Sequence, residues 1–308
     1  MPLVFLLYAL FSSVFIICKV ALEYTEPLFL VGSRMVVAGL LIGGYQLWKN
    51  REDFFKGFNC IKKLLGLAFF NIYLTNVCEV WGLSYLSPAK TCLIYSLSPF
   101  VAAFFSYFLF NEMLSWKKWA GLLIGFFGFF PILLETNGIE ELAGGMWGFS
   151  WPEIAVCIAA ISNVYGWILL RQLVKEDNIS TLTANGLSMF FGGIFALSHS
   201  LYAESWTPIP VTEYLPFIEC SLLMLLISNF IAYNLYGYLL QKFTATFMSL
   251  AGLTTPLFAA VLAWFYFGEV VTPSFYLSLA IIFLGLLIYY QEELKEAEGI
   301  TVNTQTTV

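Results

Sequence analysis

Charge is what this 308-residue chain most lacks: Asp, Glu, Lys and Arg make up only 11% of it, against about 25% in soluble domains. With 60% hydrophobic residues, too little polar surface remains to cover a water-facing globule, which excludes an ordinary cytosolic enzyme. A basic excess is also missing. The chain has 14 Lys and Arg against 20 Asp and Glu, for a net charge of −6, so the electrostatic footprint of a nucleic-acid binder is absent. There is one histidine, so no multi-histidine metal site is available, and neither a metal nor a cofactor is expected. Cys18, Cys60, Cys78, Cys92, Cys157 and Cys220 form no C-x-x-C pair and sit in or beside apolar runs, where they act as small hydrophobes. No G-x-S-x-G, H-E-x-x-H or glycine-rich phosphate loop appears in the apolar runs, which argues against an intramembrane enzyme.

What the chain does have is long apolar segments. A bilayer core of about 30 Å needs about 20 apolar residues in a helix, and ten stretches qualify: 3–22, 28–48, 64–83, 88–110, 116–134, 150–171, 181–203, 215–240, 244–267 and 274–291. The runs are continuous rather than alternating, so helices are expected, not barrel strands. The first has no basic start and reaches Lys19 without a small-residue cleavage pattern, so it reads as a retained helix rather than a signal peptide. Lys49, Arg51, Lys56, Lys62, Lys63, Lys117, Lys118, Arg171, Lys175, Lys242 and Lys295 fall on one side of this topology. By the positive-inside bias that side is cytoplasmic, with both termini. Glu23, Glu26, Glu135, Glu140, Glu141, Glu204, Glu213 and Glu269 fall on the other. The polar segment 292–308 is expected to fray into solvent as a cytoplasmic tail.

The chain also repeats itself. Residues 87–129 and 244–286 align at an offset of 157: Pro99 meets Pro256, Ala102–Ala103 meet Ala259–Ala260, Glu112 meets Glu269 and Gly128 meets Gly285. One residue further off, Asn71 meets Asn229 and Asn76 meets Asn234. Five helices per copy is an odd number, so the second copy enters the membrane upside down, as in many secondary carriers. The expected architecture is an all-α membrane protein of ten transmembrane helices in two inverted five-helix repeats. The first repeat covers 1–135, an extracytoplasmic linker covers 136–149, and the second repeat covers 150–291. A mid-helix proline, a G/N-E after the fourth and ninth helices and a glycine-rich following helix resemble the EamA family of the drug/metabolite transporter superfamily over essentially the whole chain. The length, the aromatic-rich first half and the lysine ending the first helix are similar to S-adenosylmethionine transporters of obligate intracellular bacteria within that family.

Polar groups inside hydrocarbon cost about 2.5–3.5 kcal/mol each for a charge, so they should face a cavity, another helix or the interface. Arg34 is either a counter-charge for a solute carboxylate or a tether to Glu23 or Glu26. Glu79 shares a face with Asn76. It either holds a cationic solute group or a coupling proton, or pairs with Lys90 or Lys19. Lys19 could snorkel to the interface or line the cavity. Lys90 could be interfacial or guard the outer entrance. Glu153 and Glu219 start helices, where the dipole favours a negative charge. The pairs Asn71/Asn229 and Asn76/Asn234 would face each other as tethers or cavity lining, with Asn163 and Asn185 as candidates lacking such mates. Trp48, Trp116, Trp119, Trp147, Trp151 and Trp206 lie near span ends and read as interface anchors. The resemblance places Trp81, Tyr95, Tyr165, Trp167, Tyr233, Tyr236 and Tyr238 on cavity-lining helices, where they would either pack or stack a flat base and hold an onium group. Pro99 and Pro256 would kink the fourth and ninth helices as paired hinges. Gly121, Gly125 and Gly128 would give a close helix contact, and His199 a packing or interfacial group.

Together these features imply a multi-pass inner-membrane carrier working by alternating access. The resemblance implies uptake of S-adenosylmethionine in exchange for S-adenosylhomocysteine, with a small-molecule solute and the bilayer as partners and a monomer or homodimer as the oligomeric state. An amino-acid or general metabolite exporter, and from another class a channel or scramblase, are the alternatives.

Overall fold

A computed structural model describes residues 2–110, 115–133, 143–146, 148–242, 248, 251–252, 254–268 and 270–305. Glu112, Glu135, Glu140, Glu141, Trp147 and Glu269 lie outside the described residues. The described part is nearly all helix. In chain order the elements are α1 (Pro2–Ala21), α2 (Pro27–Lys49), α3 (Arg51–Asn59), α4 (Ile61–Tyr85), α5 (Pro88–Tyr95), α6 (Ser98–Phe110), α7 (Trp116–Phe127), α8 (Phe130–Leu133), α9 (Trp151–Lys175), α10 (Thr181–Ala203), α11 (Tyr214–Lys242), α12 (Thr254–Phe267) and α13 (Pro273–Gln305). A two-residue hairpin, β1 (Gly145–Met146) against β2 (Phe149–Ser150), leads into α9.

Among the described residues eight helical spans are long and apolar enough to cross a membrane, with α5 and the start of α6 taken together over Pro88–Phe105 as one of them. The segment expected at 116–134 is the 12-residue α7 followed by α8, and of the segment expected at 244–267 the helix Thr254–Phe267, α12, is described. At 1.5 Å per residue, α7 rises about 18 Å, well short of the apolar core. Gly128, which starts the break between α7 and α8, fits closely against the backbone of α13 at Ile282. The last helix runs on to Gln305 rather than fraying after Tyr290. The Glu, Leu, Lys and Ala of that segment are strong helix formers.

Side-chain caps set many of the starts. Ser87, Ser115, Ser150 and Ser180 each accept a hydrogen bond from the backbone N–H three residues on, and Ser150 with Glu153 forms a reciprocal capping box. The first amides of α2 are capped from elsewhere: Leu28 N and Phe29 N donate to the Glu204 carboxylate at 2.6 and 2.9 Å. Glycines then set the closest packing. Gly39 abuts the backbone of Phe190, Gly193 that of Val36, and Gly186 that of Gly43, which brings α2 and α10 into intimate contact. Gly121 and Gly125 meet Gly285 in the same way between α7 and α13.

Two features recur in both halves. α4 winds as a π-helix over Ala68–Leu74, and α11 does so over Leu225–Ala232. In each, the asparagine after the start of the wide turn repairs the backbone. Asn76 Nδ2 donates to Asn71 O and Ile72 O at 3.1 and 2.9 Å, and Asn234 Nδ2 donates to Asn229 O and Phe230 O at 3.1 and 3.0 Å. The second feature corrects the expectation of a kinked, continuous fourth helix. The chain leaves helix after Tyr95 and restarts at Ser98, so Pro99 occupies a first turn, where its missing N–H costs nothing. Pro256 is likewise the third residue of α12.

The end rich in lysine is laced together. Asp53 accepts from Ser180 Oγ at 2.6 Å, Ser180 N at 3.1 Å, Gln46 Nε2 at 3.0 Å and the Thr183 hydroxyl. Burial pushes the Asp53 carboxyl up, but these hydrogen bonds outweigh it and hold the group below its ordinary value. Lys63 pairs with Asp177 at 2.6 Å.

Candidate functional site

A cavity of about 570 Å³ opens between α1, α4, the α5–α6 break, α9, α11 and the start of α12. It is built on the irregular backbone just described. Ser96, Ser98 and Pro99 line it from the first break, and Gly252 and Thr255 from the approach to α12. Ser12 on α1 fastens the second of these by donating to Thr255 O at 3.0 Å.

At its deep end sit two opposite charges. Arg34 on α2 is 5% exposed, and its Nη2 donates to Asn76 Oδ1 at 3.2 Å. Its Nε and Nη1 have no hydrogen-bond partner among the described residues, an expense a buried guanidinium sustains only where something else can occupy those donors. Glu79 lies one turn along α4 from Asn76 and accepts from Tyr95 Oη at 2.6 Å. The tether expected between Arg34 and Glu23 or Glu26 is not made: those glutamates line a separate vestibule. Nor does Glu79 pair with Lys90 or Lys19. Asn76 closes the arrangement by donating to Tyr233 Oη at 3.1 Å, so one amide orients the arginine, the tyrosine and the π-turn together.

Aromatic rings form the remaining wall. Trp167 stacks on Tyr236 with centroids 4.1 Å apart at 23°, and lies 5.5 Å from Tyr233. Phe11 meets both tyrosines edge-on, and Phe15 meets Tyr95. α9 lines it lengthwise: Asn163, Trp167, Arg171 and Lys175 follow one another at steps of four and reach the lysine-rich end.

Of the residues expected at a site, Arg34, Asn76, Glu79, Tyr95, Asn163, Trp167, Tyr233, Tyr236 and Pro99 line this cavity. The others stand elsewhere. Lys19 Nζ donates to Leu83 O, Ser84 O and Leu86 O at 2.6, 3.2 and 2.9 Å, capping the carbonyl end of α4. Trp81 lines the separate vestibule, of about 830 Å³, with Glu23, Glu26 and His199. Tyr165 packs between Phe70 and Phe105. The asparagine pairs do not face one another: Asn229 points its amide at Met35 and Met189, and Asn234 accepts from Asn185 Nδ2 at 3.0 Å. Tyr238 is exposed beneath Lys242. Pro256 stays behind Thr255, outside the lining.

Tyr8, Phe11, Phe15, Arg171, Gln172 and Lys175 line the cavity without having been expected there. The four-residue spacing of Asn163, Trp167, Arg171 and Lys175 was the available signal; the phenylalanines had none. The cavity and the vestibule share no lining residue. At the end away from the lysine-rich one, Lys90 pairs with Glu153 at 2.7 Å, the side chains 7% and 1% exposed, tying α5 to α9. Among the described residues no group of three or more His, Cys, Asp or Glu is placed to hold a metal.

Comparison with known proteins fits this geometry. The model of the EamA-like transporter family matches residues 1–134 and again 150–291. A protein of Chlamydia muridarum named S-adenosylmethionine/S-adenosylhomocysteine transporter is 37% identical over 295 residues, covering 96% of this chain and 92% of its own. A Chlamydia trachomatis protein of the same name is 37% identical over 300 residues, covering 97% and 91%. The uncharacterized transporter YoaV of Bacillus subtilis is 23% identical over 276 residues, covering 87% and 88%. A solved crystal structure shares the fold at a TM-score of 0.64 and 16% identity, over 93% of each chain.

Proposed function

The chain belongs to the EamA-like transporter family, and we propose from that premise that it exchanges S-adenosylmethionine for S-adenosylhomocysteine by alternating access. It is a membrane transporter and not an enzyme. The observation that carries the solute is the deep end of the cavity, where a guanidinium with two unengaged donors and a carboxylate share one chamber beside an aromatic wall. The two named Chlamydia relatives support the same reading.

S-Adenosylmethionine presents a carboxylate, an ammonium, a sulfonium and a flat purine. The fork of Arg34 takes the carboxylate. Glu79, held by Tyr95, faces the two cationic groups. The Trp167, Tyr233 and Tyr236 rings hold the base and attract the sulfonium through their faces. S-Adenosylhomocysteine lacks the sulfonium charge and keeps every other handle, so one site serves both directions of an exchange.

Ten spans in two inverted halves, 1–135 and 150–291, joined by an extracytoplasmic linker at 136–149 and followed by a cytoplasmic tail at 292–308, are the architecture that suits this cycle. The paired family matches and the π-turns repeated in α4 and α11 support it. With the lysine-rich end in the cytoplasm of the inner membrane, the cavity is inward-open and the Lys90–Glu153 end is the closed gate.

The test is uptake of labelled S-adenosylmethionine by cells expressing the chain. Accumulation above empty cells, abolished by unlabelled S-adenosylhomocysteine and untouched by a panel of amino acids, is the expected result. Uptake no greater than in empty cells, or competition by amino acids alone, overturns the solute assignment.

A further inference from the structure

We propose that Asn163 on α9 reads the purine of the solute by donating its amide N–H groups to a ring nitrogen of the adenine. The inference rests on the adenosyl reading above and deepens it.

The orientation of this amide is dictated by its neighbour. Trp167 Nε1 donates to Asn163 Oδ1 at 2.7 Å, and an indole N–H is a donor only. The oxygen must therefore face the tryptophan, which turns the NH2 the other way. Asn163 lines the cavity, and among the described residues its Nδ2 makes no hydrogen bond. The amide is also rigidly mounted. Its own backbone carbonyl accepts from Asn71 Nδ2 at 3.3 Å, and Gly166, three residues on, is filled by the Asn71 side chain, so this stretch of α9 is clamped to the π-turn of α4. The ring that fixes the amide is the ring stacked on Tyr236. A planar ligand lying against that aromatic wall brings its edge to the two outward N–H donors. Adenine offers unprotonated ring nitrogens there and no competing oxygen, so a donor pair suits it. The aromatic faces alone would accept any flat heterocycle.

The experiment compares S-adenosylhomocysteine with its 1-deaza, 3-deaza and 7-deaza analogues, each replacing one ring nitrogen by C–H, as competitors of labelled uptake. With the wild-type protein, one analogue is expected to compete about tenfold more weakly than the parent, the penalty of leaving a built donor unpaired. In Asn163→Asp the Trp167 bond and the side-chain volume are kept, but the atom facing the cavity becomes an acceptor. That analogue should then compete at least as well as the parent, and the added charge acts alike on all four compounds. Equal competition by all three analogues in the wild type overturns the proposal. So does the same penalty persisting in Asn163→Asp or, if that variant does not reach the membrane, in Asn163→Ala. Failure of the wild type to take up any adenosyl compound would instead remove the solute reading on which the proposal stands.

Discussion

Arg34→Lys separates charge from geometry at the deep end of the cavity. A lysine keeps the positive charge but replaces a planar fork by a single point, so initial uptake of S-adenosylmethionine should fall about tenfold or more. Glu79→Gln should be selective. The concentration of S-adenosylmethionine needed for half-maximal competition should rise about tenfold, as expected for loss of a charge-assisted contact of about 1.5–3 kcal/mol, while that of S-adenosylhomocysteine, which keeps the ammonium but lacks the sulfonium, should rise less. Equal losses for both would mean that Glu79 does not meet the sulfonium. Asp53 gives a prediction in pH. Its carboxyl is held below the ordinary value by Ser180, Thr183 and Gln46, so its contribution to stability is present above the unfolded value of about 3.9 and is lost as pH falls through the folded one. Melting temperature in detergent should therefore drop below about pH 4, and less so in Asp53→Asn, which is already weakened at pH 7. At this scale the sequence was most informative where it offered contrast. Arg34 and Glu79 stand out because a charge in an apolar run is costly. With 31 Phe, 9 Trp and 17 Tyr in the chain, no aromatic stands out from the rest, and Tyr165 and Trp81 were indistinguishable from Trp167. Lys19 was recognisable as a cation near the membrane, but its partners are carbonyls at the end of another helix, which no local pattern announces.

Helices bring the second level of organisation, and here the duplicated asparagines can be told apart. Asn76 and Asn234 make the same two backbone bonds across their π-turns, but Asn76 Oδ1 accepts from Arg34 while Asn234 Oδ1 accepts from Asn185. Asn76→Ala and Asn234→Ala should each cost about 1–2 kcal/mol of stability, read as lower melting temperatures. Only Asn76→Ala should also weaken solute binding, because only it releases the arginine. A loss of binding in Asn234→Ala of equal size would show that both turns serve the site. Apolar length marked most of the helices, and the matching Asn-x-x-x-x-Asn spacing marked the two turns without revealing that they are wound as π-helices. The break before Pro99 escaped because proline suits a first turn as well as a kink, and α7 reads longer than it is because the apolar run continues across the turn at Gly128 into α8.

At the scale of the whole molecule, the proposed inward-open state rests on a cavity lined as far as the lysine-rich end and on the buried Lys90–Glu153 pair at the other end. Removing one partner of the Lys90–Glu153 pair, as in Glu153→Leu, should cost about 3–5 kcal/mol by stranding a buried charge, whereas Lys90→Met with Glu153→Leu should recover much of it. Thermal stability of the three proteins checks this. Exchange of S-adenosylmethionine for its neutral-sulfur product moves one net positive charge, worth about 2.3 kcal/mol per 100 mV. In proteoliposomes an inside-negative potassium diffusion potential should therefore speed inward S-adenosylmethionine movement and leave exchange of S-adenosylhomocysteine for itself unchanged. The duplication was legible from Pro99 and Pro256 and agrees with the two family matches, and the lysines carry the proposed orientation, whereas the cavity depends on packing that no single segment encodes. The wide turns of α4 and α11 carry one more consequence. If the two halves descend from one gene, an irregular winding at the same place in both predates the copying event, and its amide brace is inherited with it. The two braces have since taken different partners, a guanidinium for one and an amide for the other, so the halves keep a common frame and differ in what it carries.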